Sequence, residues 1–117
     1  MNKFAAYQTG KAAEDQVARL YAGEGYLILA RRWRGPAGEL DLVVERDGEI
    51  VFVEVKAARD FARAVASLTG RQIERIYASA AHFLSFVPLG QNTPSRFDVA
   101  LVDRMGRIDR VEKAIGM

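Results

Sequence analysis

The stretch "GELDLVVERDGEIVFVEVKAA", residues 38–58, decides the fold, and it reads outward from its middle. Asp47-Gly48 is the favoured two-residue hairpin turn, because both central positions need positive φ. Pairing away from that turn sets Arg46 opposite Glu49, Val44 opposite Val51 and Val43 opposite Phe52. The same register carries Asp41 to a place across from Glu54, and Glu39 across from Lys56. Opposed side chains on a ladder have Cβ atoms about 5 Å apart, where like charges destabilise. A hairpin that turns two carboxylates towards each other requires a reason.

Side chains alternate faces along a strand. One face of the hairpin is then wholly aliphatic, with Leu40, Leu42 and Val44 beside Val51, Val53 and Val55. The other holds Glu39, Asp41, Val43 and Glu45 with Ile50, Phe52, Glu54 and Lys56, apolar near the turn and charged at the far end. A strand apolar on both faces as far as Glu54 fits a central position covered on two sides, not a solvent-washed one. Carboxylates at the end of such a strand are partly desolvated and cannot both stay ionised unaided. Three remedies exist: a shared proton, a neighbouring cation such as Lys56, or a bound divalent metal. Oxygen-only donors suit a hard cation, and Mg²⁺ commonly uses one or two carboxylates together with waters and a substrate phosphate. By itself the pattern leaves open a metal site, a structural ion pair with Lys56, and a slip of the hairpin register.

Composition narrows the chemistry. At 117 residues, 50% hydrophobic and 27% charged, the chain has the size and mixture of one globular domain, residues 1–117. The absence of cysteine excludes disulfides, thiolate metal sites and thiol nucleophiles. His82 is the one histidine, which leaves no His-rich zinc site and argues against a Ser-His-Asp triad. No apolar run approaches the length of a membrane span and no signal-peptide pattern opens the chain, so cytoplasmic residence without a membrane partner is the expectation. Net charge is only +2, yet the positive charge is mostly arginine and clustered: Arg31, Arg32 and Arg34; Arg59 and Arg63; Arg71 and Arg75; Arg104, Arg107 and Arg110. The arginine fork suits bidentate phosphate contacts, whereas the plainer reading of each is solvated surface.

Away from the hairpin, Ala13, Val17, Leu20 and Tyr21 recur at helical spacing and predict a helix over 3–22, closed by Gly23 and Gly25. Residues 26–30 form a short apolar run, the expected first strand, leading into Arg31-Arg32-Trp33-Arg34. Gly35-Pro36-Ala37-Gly38 reads as a turn or loop. A second helix is expected from about 70 to 87, with Ile73, Ile76, Tyr77, Ala80, Phe83, Leu84 and Val87 as its stripe. Thr69 and Gln72 fit a capping box at its start. "RFDVALV", 96–102, is a further strand, and "GRIDRVEKAI", 106–115, a final edge strand. Helix, three strands, helix and strand make a mixed α/β fold, a small sheet covered by helices.

Gly38-Glu39-Leu40-Asp41, followed by Phe52-Val53-Glu54-Val55-Lys56, resembles the D…ExK signature of the PD-(D/E)XK nuclease superfamily. The ordered set of Gly10-x-x-x-Glu14, Gly25-Tyr26, "GELDLV", "FVEVK", the central helix and "RFDVALV" resembles one bacterial branch over nearly the whole chain. That branch is the UPF0102 family, predicted endonucleases related to archaeal Holliday junction resolvases. The resemblance implies an α/β restriction-endonuclease-like core, a small mixed β-sheet flanked by helices in the order α-β-β-β-α-β. It also implies hydrolysis of phosphodiester bonds in DNA, branched or single-stranded, dependent on Mg²⁺ (or Mn²⁺).

Residue by residue, the resemblance implies that Asp41 and Glu54 hold the metal, with the Val55 carbonyl as third ligand. Lys56 would orient the attacking water or stabilise the developing phosphorane charge, and Glu14 would be the first-helix acid directed at the metal. Gly10 is expected to serve close packing or a helix start. The chain departs from the family pattern in two places: "VKAARD" puts Arg59 later than usual, and Gln72, after Arg71, stands where a lysine is common. Some members of the superfamily use glutamine in this helix, so Gln72 stands between capping and active-site duty; capping is expected, with Arg71 on phosphate.

Arg31, Arg32, Arg34, Arg71 and Arg75 are expected on the backbone phosphates, which supply affinity without reading sequence. Trp33 either stacks on an unpaired base or packs in the core, the commoner fate of tryptophan. Asp98 is expected to support the last strand, and His82 to face away from the apolar stripe of its helix. Two rivals to the enzyme are a non-catalytic nucleic-acid-binding module of the same fold and an interaction protein whose acids and lysine are structural. By analogy, a resolvase-like activity needs two active sites and hence a symmetric homodimer.

Overall fold

A computed structural model of the chain describes residues 3–114, with side chains from residue 10 onward. The elements are α1 (Lys3–Gly23), β1 (Leu27–Gly35), β2 (Gly38–Arg46), β3 (Glu49–Ala57), α2 (Phe61–Ala66), α3 (Gly70–Leu84), β4 (Ser95–Val102) and β5 (Ile108–Val111). The strands form one sheet in the order β1-β2-β3-β4-β5, antiparallel except where β4 lies parallel to β3. A parallel neighbour cannot follow a tight turn, and the crossover is the α2–α3 segment. The α-β-β-β-α-β order of the restriction-endonuclease-like core is present, with α2 and β5 added. Among the described residues no helix is long and apolar enough to cross a membrane.

The sheet is covered on both faces. Ala13, Val17 and Tyr21 of α1 pack on Leu42, Val44, Val51 and Val53. Ile76, Ala80 and Leu84 of α3 pack on Val43, Ile50, Phe52, Phe97 and Val99. Residues 50–53 of β3 are all buried, which is the two-sided central position that their unbroken hydrophobicity requires. Asp98, inside β4, is fully buried and accepts from the Tyr21 hydroxyl at 2.6 Å, from Arg96 Nε at 3.0 Å and from the Lys113 N–H at 3.2 Å. It therefore supports the last strand, as expected, and also ties α1 to β4.

At the turn, Asp47 and Gly48 have φ of 53° and 82°. The register runs from Arg46↔Glu49 through Val44↔Val51 and Val43↔Phe52 to Leu42↔Val53. There the ladder ends. Asp41 Oδ2 accepts the Val55 N–H at 2.8 Å, so a side-chain oxygen takes the place of a strand carbonyl. The expected backbone pairing of Asp41 with Glu54 and of Glu39 with Lys56 gives way to a splay between β2 and β3.

The other neighbour of β2 explains the shift. Arg31 pairs with Leu42 and Trp33 with Leu40, and between them Arg32 has φ 51°. A left-handed non-glycine residue inside a strand breaks the alternation of faces. Arg31 and Arg32 both turn to α1, where they meet Asp15 and Glu14. Leu40 consequently joins the core under α3 with Val43 and Phe52, not the aliphatic face of Leu42 and Val44 on which simple alternation sets it.

Other boundaries also move. β1 continues through the arginines to Gly35 instead of ending at residue 30, because strand pairing uses the backbone and an edge strand tolerates exposed charge. α3 stops at Leu84, capped at Ser85, short of Val87. α2 has only six residues and is capped by Asp60, which accepts the Arg63 N–H at 2.9 Å; so short a helix carries no readable period. The edge strand expected within 106–115 is Ile108–Val111, and Ile115 lies outside the described residues. Gly10 is inside α1 and not at its start, and among the described residues a Cβ there would meet nothing within 4 Å.

Candidate active site

The splay brings the acids together. Asp41 leaves the ladder of β2 and Glu54, 6% exposed, rises from β3 towards α3. Gln72 Nε2 of α3 donates to Glu54 Oε1 at 3.2 Å. Only half of the expected capping box forms: the Thr69 hydroxyl accepts the Gln72 N–H at 3.2 Å, while the Gln72 side chain is taken by Glu54. Each acid thus has one oxygen anchored by an amide, Asp41 by Val55 and Glu54 by Gln72.

Electrostatics set the state of the pair. Burial, then the charge of Asp41, pushes Glu54 up to about 8, against the pull of Lys56 and Arg75. Burial also raises Asp41, although the Val55 N–H, the Glu54 carboxyl and Lys56 oppose it. Two such groups titrate as a unit, and burial favours a proton on the pair while Lys56 favours its ionised form.

Glu14 reaches the same neighbourhood from α1. Arg32 Nε donates to its Oε1 at 2.5 Å. Burial raises the Glu14 carboxyl, Arg32 lowers it, and the charges of Asp41 and Glu39 raise it further. The first-helix acid therefore lies within the field of Asp41.

The donor set fits a hard cation. It is oxygen only, and its carboxyls are raised chiefly by burial, against the nearby charge of Lys56. A strand residue presents its N–H and C=O to the same edge, so Val55, whose N–H meets Asp41, turns its carbonyl to the β2 side as well. Among the described residues no cluster of three or more acid, histidine or cysteine side chains could enclose an ion. A cation here would keep positions for water and phosphate, as Mg²⁺ commonly does.

The five candidate phosphate arginines divide. Arg31 and Arg32 are engaged with Asp15 and Glu14 on α1. Arg34 meets Glu39 at 3.2 Å but remains 79% exposed. Arg34, Glu39 and Arg75 line a cleft of about 430 Å³ along the β1–β2 turn, and Arg71, Gln72 and Arg75 a second of about 380 Å³. Trp33 packs against Phe83 at 5.3 Å between ring centroids, so the core reading holds for it. His82 turns to Trp33, 5.6 Å away, and not away from the packing. The Gln72–Glu54 contact was foreshadowed only by the place of Gln72 where a lysine is common, and Arg75, expected on phosphate, also acts on Glu54.

Fold and site together define a mixed α/β protein with a largely desolvated acid pair and a lysine at the splayed end of its central hairpin. Comparison with known proteins adds the family. Residues 13–102 match the model of the uncharacterised protein family UPF0102. The chain is 56% identical over 107 residues to a UPF0102 protein of Ruegeria pomeroyi, covering 92% of this chain and 87% of that one. It is 51% identical to one of Cereibacter sphaeroides, with 93% of each chain covered, and 44% identical to one of Roseobacter denitrificans, covering 94% and 85%. The chain belongs to the UPF0102 family.

Proposed function

We propose that the chain is a divalent-metal-dependent endonuclease that hydrolyses phosphodiester bonds in DNA, single-stranded or branched. The carrying observation is the Asp41–Glu54 pair, Glu54 buried and Asp41 half-buried, both raised in pKa and each anchored by an amide beside Lys56. Asp41, Glu54 and the Val55 carbonyl would hold Mg²⁺ or Mn²⁺. When bound, such a cation polarises a scissile phosphate and lowers the pKa of a water.

The chain's own residues do the rest. The Val55 and Gln72 amides fix the carboxylates before substrate arrives, which spares reorganisation during reaction. The Lys56 ammonium, within the field of both acids, orients the attacking water and stabilises charge that gathers on the phosphate oxygens. Glu14, held by Arg32, adds negative charge from the α1 side. Arg34, Arg71 and Arg75 bind neighbouring phosphates, which position the strand without reading its bases. A homodimer would offer two such sites to a branched substrate.

A cleavage panel tests this reading, with duplex, single-stranded, flap and four-way-junction DNA in Mg²⁺ and Mn²⁺. At least one DNA is expected to be cut, and Asp41→Ala or Lys56→Ala to slow cutting by about 10²-fold or more. No cutting of any DNA with either metal contradicts the proposal; binding without cutting favours a non-catalytic binding module.

A further inference from the structure

The turn that joins β1 to β2 is pressed between two groups of side chains. A Cβ on Gly35 would come within 2.8 Å of the Trp33 ring and 3.1 Å of the His82 ring. One on Gly38 would come within 2.5 Å of the Arg75 side chain. The turn therefore links an aromatic cluster to the arginine whose charge acts on Glu54. The 430 Å³ cleft follows that turn.

The cluster is anchored from beneath. Ring centroids step from Phe52 to Phe83 at 5.9 Å, to Trp33 at 5.3 Å, to His82 at 5.6 Å and to Phe86 at 5.3 Å. Phe86 is held by its N–H on the Phe83 carbonyl at 3.0 Å and lies 6.4 Å from Trp33. Phe52 is 2% exposed and Phe86 70%. A lone exposed aromatic is unremarked on any surface. Here the ring packs on two others, Trp33 and His82, and those two flank Gly35, which lines a cleft bordered by arginines. Those are the two parts of a single-strand site, cations that follow the backbone and a ring on which a base stacks.

We infer that Phe86, backed by Trp33 and His82, is the stacking platform for an unpaired base of a single-stranded DNA segment whose phosphates run along the Arg34–Arg75 cleft towards Asp41 and Glu54. The inference rests on the nuclease reading and narrows its substrate to DNA with unpaired bases, since a duplex keeps its bases stacked inside. Trp33 supports the platform and does not form its outer face. The Glu39 carboxylate also lines the cleft, and Arg34, exposed while paired with it, is the cation that a phosphate must draw away.

The test uses the full chain in EDTA, so that cutting does not interfere. Affinity is measured by fluorescence anisotropy for labelled oligothymidylate and for an abasic deoxyribose-phosphate strand of equal length. Wild type is expected to bind oligothymidylate about tenfold tighter than the abasic strand. Phe86→Ala is expected to erase that preference and Phe86→Trp to keep it. Arg75→Ala should weaken both strands alike and flatten the salt dependence. Failure to bind oligothymidylate, equal affinity of wild type for the two strands, or a preference that survives Phe86→Ala overturns the inference. So does a Phe86→Ala protein whose sedimentation shows a lost oligomer, which would assign the ring to a subunit contact. Cutting of single strands without base-dependent binding defeats the stacking site alone; base-dependent binding without cutting in any metal defeats the nuclease reading alone.

Discussion

At the scale of single residues, one proton governs the acid pair. Asp41 and Glu54 bind it more tightly folded than unfolded, because the unfolded chain leaves both carboxyls in water. The stability it contributes is whole below the ordinary glutamate value of 4.5 and is lost as pH rises through about 8. Chemical denaturation in EDTA should therefore show a midpoint that falls from pH 5 to pH 9 in about that window. Glu54→Gln, a permanent mimic of the protonated acid, should flatten the fall, and an unchanged profile would count against the shared proton. The acids themselves were legible by counting outward from Asp47-Gly48. The contact that joins Asp41 to Val55 was not, because an alternating ladder gives no sign that a side chain will replace a carbonyl. Gln72 was visible as a polar residue at a helix start, where capping and active-site duty competed for it; the distant partner, Glu54, took its side chain.

At the scale of elements, the site depends on how α1 and the β1–β2 turn are held. Tyr21 and Asp98 join α1 to β4 by a buried bond of 2.6 Å. Tyr21→Phe should cost roughly 1–3 kcal/mol, since it leaves a buried carboxylate short of a donor, and urea denaturation would measure it. Gly38 has φ 140° and stands against Arg75. Gly38→Ala should destabilise by about 1–3 kcal/mol through overpacking and backbone strain, with cleavage reduced because the cleft deforms. Strand β4 and the stripe of α3 were legible because their patterns are local and long. α2 was too short to show a period, and the break of alternation at Arg32 arises from a left-handed residue that no residue type announces. Asp98 left a fainter signal: an acid inside an apolar strand must find partners, but their identity lay 77 positions away at Tyr21.

At the scale of the whole molecule, the sheet makes the site by burying it. β3 is central, covered by α1 on one face and α3 on the other, so its Glu54 end is both rigid and partly dehydrated. A cation bound there would favour the folded state by about 2.7 kcal/mol at a hundred times its Kd. Thermal melts should rise with Mg²⁺ or Mn²⁺ in wild type and stay flat in Asp41→Asn. The order of elements followed from periodicity and turns, whereas the docking of α1 beside the hairpin, which brings Glu14 near Asp41, depends on contacts between distant segments. Calorimetric titration with Mg²⁺ or Mn²⁺ near pH 7, repeated in buffers of different ionisation enthalpy, tests the central claim most directly. Wild type is expected to bind with release of about one proton, as a ligand pair must be deprotonated to hold a metal, and Asp41→Asn to lose both signals. Absence of binding in wild type, or equal binding in Asp41→Asn, would contradict it.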